Sequence, residues 1–448
     1  MMNPTAPPER AAHGKAARKL VPRSEQGVWQ PAADRPDPVD ILISQGADRL
    51  AKLLPIRYGR MAASPFAFLR GAAAVMARDL APLPRTGLTV QLCGDAHLLN
   101  FGLYASPERR LLFDVNDFDE TLPGPFEWDV KRLAASIAVA GRDSGHSEAR
   151  VRRSVTAGMA AYRTGMRRLA KLGELAVWYD RVDTDDAAEQ VKHRDRRPVE
   201  HALDHARHRT SLQALHKLTE VVDGRHWIIH NPPLVEPLGD FDQAAIRKVF
   251  TDYRASLPED RRVLLDRFRV IDVARKVVGV GSVGTRCYIA LLEGRDPGDP
   301  LLLQIKEAGR SVLEPYLSPS EYDNGGRRVV CGQRMTQSAS DVFLGWVTGP
   351  RGRFYYWRQL RDMKGSADVA SMDAGQLRRY GALCGRTLAR AHARTGDRIA
   401  IAAYLGSGTG FDRALTEFAL RYADQTYRDH AALVAAIAQG RVKAAAGV

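Results

Sequence analysis

The sequence predicts an α+β fold of two lobes, and three observations carry that expectation. Helical apolar spacing dominates both ends of the chain, short β-prone runs fill the region from about 271 to 370, and two further strand-like runs frame Asp95 and Asp117. The expected organisation is a disordered or surface-hugging arm over 1–38, a helical lobe over 39–270, a small sheet-rich lobe over 271–370, and C-terminal helices over 371–448 that complete the large lobe.

Residues 1–38 are rich in Pro, Ala and Arg and have almost no apolar periodicity, hence the arm. Between 39 and 81 the apolar residues Ile41, Leu42, Leu50, Leu53, Leu54, Phe66, Phe68, Leu69 and Met76 recur at helical spacing and predict two helices. Pro84 and Gly87 mark a turn into a strand over 88–92, which runs into Cys93-Gly94-Asp95-Ala96-His97-Leu98-Leu99-Asn100. After a turn at Ser106-Pro107, a second strand over 111–115 ends in Asn116-Asp117-Phe118-Asp119-Glu120. Helical spacing covers 128–172, and a His- and Arg-rich stretch through about 212 reads as exposed helix or loop. Val277-Val278 and the runs 287–292, 301–306 and 354–357 read as short strands punctuated by Gly, Pro and Asp, after which helices return at 376–393 and 411–437.

Composition narrows the classes. Lys and Arg (66) outnumber Asp and Glu (52), so nucleic acid, acidic membrane surface and phosphorylated ligands are all allowed partners. Cys93, Cys287, Cys331 and Cys384 are scattered without a CxxC pair, which speaks against a disulfide framework or a zinc ribbon. No apolar run approaches the length of a membrane span and the N-terminus lacks a secretory core, so a cytoplasmic protein without membrane segments is expected; the sequence is silent on oligomeric state.

Phosphoryl transfer needs an acid to orient the acceptor hydroxyl, ligands for Mg²⁺, a cation on the phosphates and a close-fitting backbone over them. Each has a candidate here. In kinase catalytic loops an Asp is followed five positions later by a metal-binding Asn, which is the interval from Asp95 to Asn100. Asp117 begins Asp-Phe-Asp where kinases have Asp-Phe-Gly, and is expected to bind the second metal position. Asp114 and Asp117 point to opposite faces of a regular strand, so Asp114 is the second choice and Asp119 an accessory ligand.

Gly279-Val280-Gly281-Ser282-Val283-Gly284 is a GxGxxG run, weak evidence by itself. The strand-like 287–292 excludes the helix a dinucleotide site needs, and Thr285 stands where a P-loop has Lys. A glycine-rich hairpin over ATP remains, with Gly279, Gly281, Ser282 and Gly284 against the phosphates. It is followed by a strand ending in Gln-Ile-Lys306, much like the Val-Ala-Ile-Lys whose Lys contacts the α- and β-phosphates. Glu314 and Glu321 are the candidate acids for Lys306, and Glu321 is favoured because it precedes an expected helix over 327–337. The kinase order is rotated: taken from 271 to the end and then on from 39, the glycine run, Lys306, the strand at 354–357, the helix at 376–393, Asp95, Asn100 and Asp117 follow in sequence. The expected fold is therefore protein-kinase-like and circularly permuted.

The segments SPFAFLRGAAAVM, GDAHLLNFGLYASPERRLLFDVNDFDETLPGPFEWDVKRLAAS, FLGW and YYWRQLRDMKGS resemble the uncharacterised bacterial domain-of-unknown-function 2252 family from about 40 to 435. That family is in turn similar to the protein-kinase-like superfamily. The mechanistic likeness is to aminoglycoside and choline phosphotransferases, whose loop His-Gly-Asp-x-His-x-x-Asn is matched by Asp95, His97 and Asn100, with Asp117 as the metal acid. The resemblance implies catalytic roles for Asp95 and His97, ATP and Mg²⁺ as cofactors, and a supporting role for Asp129 in Trp-Asp-Val-Lys-Arg-Leu-Ala. Cys93 replaces the leading His. No Ala-Pro-Glu motif occurs, which favours a small-molecule acceptor.

The rivals are weaker. Asp95-x-His97 is also a metal pair of metallophosphoesterases, but their further Gly-Asp-x-x-Asp and Gly-Asn-His segments do not occur. His201, His205 and His208 share one helical face, but Ala202 follows where a metalloprotease has Glu. A run of Lys192, His193, Arg194, Arg196, Arg197, Arg207 and Arg209 would suit nucleic-acid phosphates, yet no aromatics interleave for base stacking. A nucleotide-binding pseudoenzyme, or an enzyme transferring AMP, is the alternative if no acid meets Lys306.

Overall fold

A computed structural model describes residues 6–184, 203–204, 207, 211–238, 243–360, 363 and 365–445. Within the segment expected as an arm, residues from 6 onward include a packed helix. The helix Pro7–Leu20 starts on Pro7 and Pro8, whose fixed φ suits a first helical turn, and buries Gly14 and Ala17. Further on, Trp29 packs edge-on against Tyr422 of the last helix, ring centroids 4.9 Å apart.

The two helices expected over 39–81 are four: Pro38–Gly46, Leu54–Ala62, Pro65–Gly71 and Ala73–Leu80. Proline restarts the chain at each of the first three, and the caps are local: Asp37 accepts from Val39 N and Ser64 from Ala67 N. The next strands are β1 (Thr89–Leu92), β2 (Phe101–Ala105), β3 (Leu111–Val115) and β4 (Leu122–Pro125). β1 pairs with β4 and β2 with β3, both antiparallel, so the Asp95 loop and the Asp117 turn emerge side by side. The single helical stretch expected over 128–172 divides into Phe126–Asp143 and Glu148–Leu169, broken at Gly145, which has φ +72.

The strands β5 (Thr219–Val222) and β6 (Arg225–Ile228) form a hairpin. The remaining strands are β7 (Val235–Pro237), β8 (Arg269–Lys276), β9 (Cys287–Glu293), β10 (Pro300–Glu307), β11 (Gly345–Thr348), β12 (Phe354–Gln359) and β13 (Gly365–Ser366), of which β13 pairs with β2. The others make an antiparallel six-stranded sheet in the order β11-β12-β10-β9-β8-β7. Val277-Val278 falls just beyond β8, where the chain leaves the ladder for the glycine turn. β7 belongs to this sheet, and Tyr253, Leu257 and Leu265 fill the core beneath it, so the sheet and its packing draw on residues before 271.

Alternation along β10 sets up the site. Leu301, Leu303 and Ile305 enter that core against Tyr253 and Trp357, so Leu302, Gln304 and Lys306 face the other way. The large core gathers the helices Phe126–Asp143, Glu148–Leu169, Ala374–Thr395, Arg398–Leu405 and Gly410–Ala438 around β1 and Leu98, Phe101 and Phe118. It holds the Asp95 loop on a rigid base. Among the described residues, no helix is long and apolar enough to cross a membrane.

Candidate functional site

A cleft of about 490 Å³ opens where the turn between β8 and β9 meets the loop between β1 and β2. Its walls are Asp95, His97, Asn100, Asp117, Asp119 and Glu120 from the segment between β1 and β4, Gly279 to Ser282 and Thr285 from the glycine turn, Asp48 and Arg49 from the turn after the helix Pro38–Gly46, and Arg70 from the helix Pro65–Gly71. A larger depression, about 610 Å³, lies among Arg18, Arg23, Arg413 and Arg421 and contains none of the sequence-predicted residues.

The Asp95 loop is held from below by Asp129, in the first turn of the helix Phe126–Asp143. Its carboxylate accepts from Cys93 N (2.8 Å), Gly94 N (3.0 Å) and Cys93 Sγ (3.3 Å), and lies 3.2 Å from His392 Nε2. This is the supporting role expected of Asp129. Burial and that carboxylate raise the Cys93 thiol well above its usual range, so Cys93 is a neutral packing group. Gly94 has φ +87, and a Cβ there would stand 2.2 Å from the carbonyl oxygen of Glu120. The loop and the Asp117 turn can approach only because this position lacks a side chain. Gly94→Ala is expected to destabilise the protein by roughly 2–4 kcal/mol, combining left-handed strain with a forced shift of the Glu120 backbone; chemical denaturation would show it as a lowered midpoint at unchanged slope.

Within the loop, Asn100 Nδ2 donates to the carbonyl of Asp95 at 2.6 Å, closing the five-residue interval and fixing the amide so that Oδ1 is the atom left to bind a cation. Asp95 Oδ1 accepts from Arg132 Nε at 2.8 Å, while Oδ2 lies 3.7 Å from His97 Nε2. His97 is buried, and burial pushes its imidazole down to about 4 despite the Asp95 carboxylate, so it is neutral at pH 7.

Beyond β3, Asp117 and Asp119 diverge in role. Asp119 accepts from Lys306 Nζ (2.5 Å), Tyr356 Oη (2.7 Å) and Ser282 Oγ (3.3 Å). Asp117 Oδ2 lies 3.6 Å from Lys306 Nζ and its Oδ1 accepts from Asp119 N at 3.2 Å. Burial raises Asp117 and the neighbouring Asp119 carboxylate adds to that. Burial acts on Asp119 too, but Lys306 and the hydrogen bonds outweigh it and hold Asp119 below its ordinary value. Lys306 is held charged against burial by the two aspartates. Asp119, expected as an accessory metal ligand, is thus the acid that pairs with Lys306. Glu321 is not: it is exposed and absent from the cleft, and Glu314 is turned to Arg310 and Ser311 N. The expectation of a helical acid gives way to one two residues from Asp117, because β10 aims Lys306 at the end of β3. Asp114 faces the opposite way, as strand parity requires. It is fully buried, paired with Arg390 (2.5 Å) and bonded to Ser338 N and Oγ (both 2.9 Å).

The glycine run forms the turn of the β8–β9 hairpin, with Gly279 (φ +63) and Gly284 (φ +91) in the left-handed region. Arg49 Nη1 donates to the carbonyls of Gly281 (2.7 Å) and Val283 (2.6 Å), Leu50 N to Gly284 O (2.8 Å), and Arg60 Nη1 to Gly279 O (2.5 Å). The N-terminal segment 49–60 therefore clamps the turn over Asp119. Glu120 also reaches the cleft, where burial pushes its carboxyl up to about 7 against the pull of Arg328. Sequence reasoning missed Arg49, Arg132, Tyr356 and His392. Arg132 alone had a signal, its place three residues after Asp129 on the same helix.

Among the described residues, no three His, Cys, Asp or Glu side chains converge as a metal-holding group. Asn100 and Asp117 instead offer one amide and one carboxylate oxygen, a donor set that suits a hard cation completed by phosphate oxygens and water. His201, His205 and His208, and Lys192, His193, Arg194, Arg196, Arg197 and Arg209, lie outside the described residues; Arg207 pairs with Asp204 at 3.0 Å. The family described as "Uncharacterized protein conserved in bacteria (DUF2252)" matches residues 49–436, and the chain belongs to it. No curated protein and no solved structure matches the chain.

Proposed function

We propose that this member of a bacterial family is an Mg²⁺- and ATP-dependent, kinase-like phosphotransferase acting on a hydroxyl of a small-molecule acceptor, on a circularly permuted two-lobed fold. One observation carries the reading. Residues separated by nearly two hundred positions, the Asp95–Asn100 loop with Asp117 on one side and Gly279 to Ser282 of the glycine turn on the other, line a single cleft, with Lys306 directly behind Asp119. That convergence is what phosphoryl transfer by positioning and charge neutralisation requires.

In this reading the glycine turn covers the phosphates with its backbone, and Lys306 supplies positive charge at the edge of Asp117. Asn100 Oδ1 and Asp117 would hold Mg²⁺, which would supply positive charge to offset that of the phosphates. Asp95 Oδ2, the oxygen not engaged by Arg132, orients the acceptor hydroxyl and takes its proton as the new O–P bond forms. The bond from the γ-phosphorus to the bridging oxygen breaks with its electron pair going to ADP. His97, neutral and buried beside Asp95, adds no competing charge. A pseudoenzyme or an AMP-transferring enzyme was the alternative for a Lys306 without an acid. Asp119 fills that place, which favours phosphoryl transfer.

Calorimetric titration with ATP tests the reading: micromolar binding that requires Mg²⁺ is expected. Absence of binding with and without the metal would overturn it.

A further inference from the structure

Among the described residues, one cation in the cleft makes no hydrogen bond or ion pair to the protein. The arginines around it are otherwise committed: Arg49 to the carbonyls of the glycine turn, Arg132 to Asp95 and the Leu69 carbonyl, Arg328 to the carbonyls of Asp119, Thr121 and Gly309, and Arg358 to Gln304 and the Asn116 carbonyl. Arg70, in the last turn of the helix Pro65–Gly71, lines the same cleft. Among the described residues its guanidinium makes no hydrogen bond or ion pair, and its Nε is buried without a partner. A buried donor left in this state disfavours the empty site and favours whatever anion completes it.

Its position says which anion. The Arg70 carbonyl lies 3.3 Å from where a Cβ on Gly281 would stand, so this helix end abuts the glycine turn. At the other side, the charge of Arg70 acts on Asp95 and on His97. The guanidinium therefore sits between the backbone that would cover the phosphates and the carboxylate that would orient the acceptor. In a nucleotide-dependent transfer, the group lying between those two is the γ-phosphoryl group.

We infer that Arg70 is a catalytic residue that grips the γ-phosphate of ATP and remains on the phosphoryl group while it passes to the acceptor oxygen, an inference that rests on the nucleotide reading above. The planar fork of a guanidinium matches two phosphate oxygens, and the charge it supplies is needed most when the three equatorial oxygens carry the developing charge. The bonds made and broken are those of the parent step, and Arg70 exchanges no proton.

ATP and ADP differ by the group in question, so their relative affinities test the assignment. With Mg²⁺ present, the wild-type protein is expected to bind ATP roughly tenfold or more tightly than ADP, and Arg70→Ala to abolish that preference while leaving ADP affinity unchanged. Unchanged ADP affinity also reports an intact fold. Should the alanine variant lose ADP binding, Arg70→Gln, which keeps the length and polarity of the side chain without its charge, carries the same comparison. A wild type that binds both nucleotides equally, or an uncharged variant that keeps the ATP preference, overturns the role of Arg70 and leaves the nucleotide site standing. Failure of the wild type to bind either nucleotide overturns both.

Discussion

Asp95→Asn is expected to slow ATP turnover by roughly 10²- to 10⁴-fold while changing Mg-ATP affinity little. The asymmetry follows from how the loop is built. Its conformation is fixed through backbone atoms, Cys93 N and Gly94 N on Asp129 and the Asp95 carbonyl on Asn100 Nδ2, so the Asp95 side chain is not needed to hold it. An asparagine oxygen can still accept from Arg132 Nε, and the side-chain volume is unchanged. What the amide lacks is a basic oxygen in the place of Oδ2 to take the acceptor proton. ADP release, with water as acceptor of last resort, measures the rate, and calorimetry measures the affinity. An undiminished rate would remove Asp95 from the mechanism.

The second large effect is expected at Asp117. Asp117→Ala should abolish the Mg²⁺ dependence of ATP binding and lower turnover by about 10³-fold or more, several kcal/mol of barrier, since the carboxylate is the charged member of the Asn100–Asp117 donor pair. Removing a buried acid can also unfold a protein, so the location of the remaining charge matters. Lys306 keeps Asp119 at 2.5 Å, with Tyr356 and Ser282 still bonded to the same carboxylate, and no buried cation is orphaned. The variant should therefore melt close to the wild type, and thermal denaturation separates loss of the metal position from loss of the fold. Mg²⁺-dependent binding that survives in Asp117→Ala would move the metal assignment elsewhere.

Much of this site was legible in the sequence because its elements are local. Strand-like runs at 88–92, 111–115, 287–292 and 301–306 emerge as β1, β3, β9 and β10, and the glycine run is the turn of a hairpin because left-handed positions at Gly279 and Gly284 demand it. The interval from Asp95 to Asn100 is short enough for one side chain to close, so spacing alone carried it. What stayed hidden depends on pairings across the chain. Arg49 meets the glycine turn 232 residues away and His392 meets Asp129 263 residues away, and neither has a neighbour in sequence that hints at it. Glu321 failed for a related reason: a helical acid was expected for Lys306, whereas strand geometry placed Asp119 nearest. Apolar periodicity predicts two helices before Ala81 where there are four, because it runs through the prolines that restart the first three.

The edge-on contact of Trp29 with Tyr422 bears on how the protein is made. About 390 residues separate the two rings, and at a synthesis rate of roughly 5–20 residues per second the ribosome needs on the order of 20–80 s to deliver the second after the first. Through that interval the helices that begin the large core expose apolar surface that the last helix helps to cover. Nascent chains should consequently be clients of holding chaperones, and messages truncated before the final helix should yield products that aggregate or are degraded while still retaining a formed six-stranded sheet.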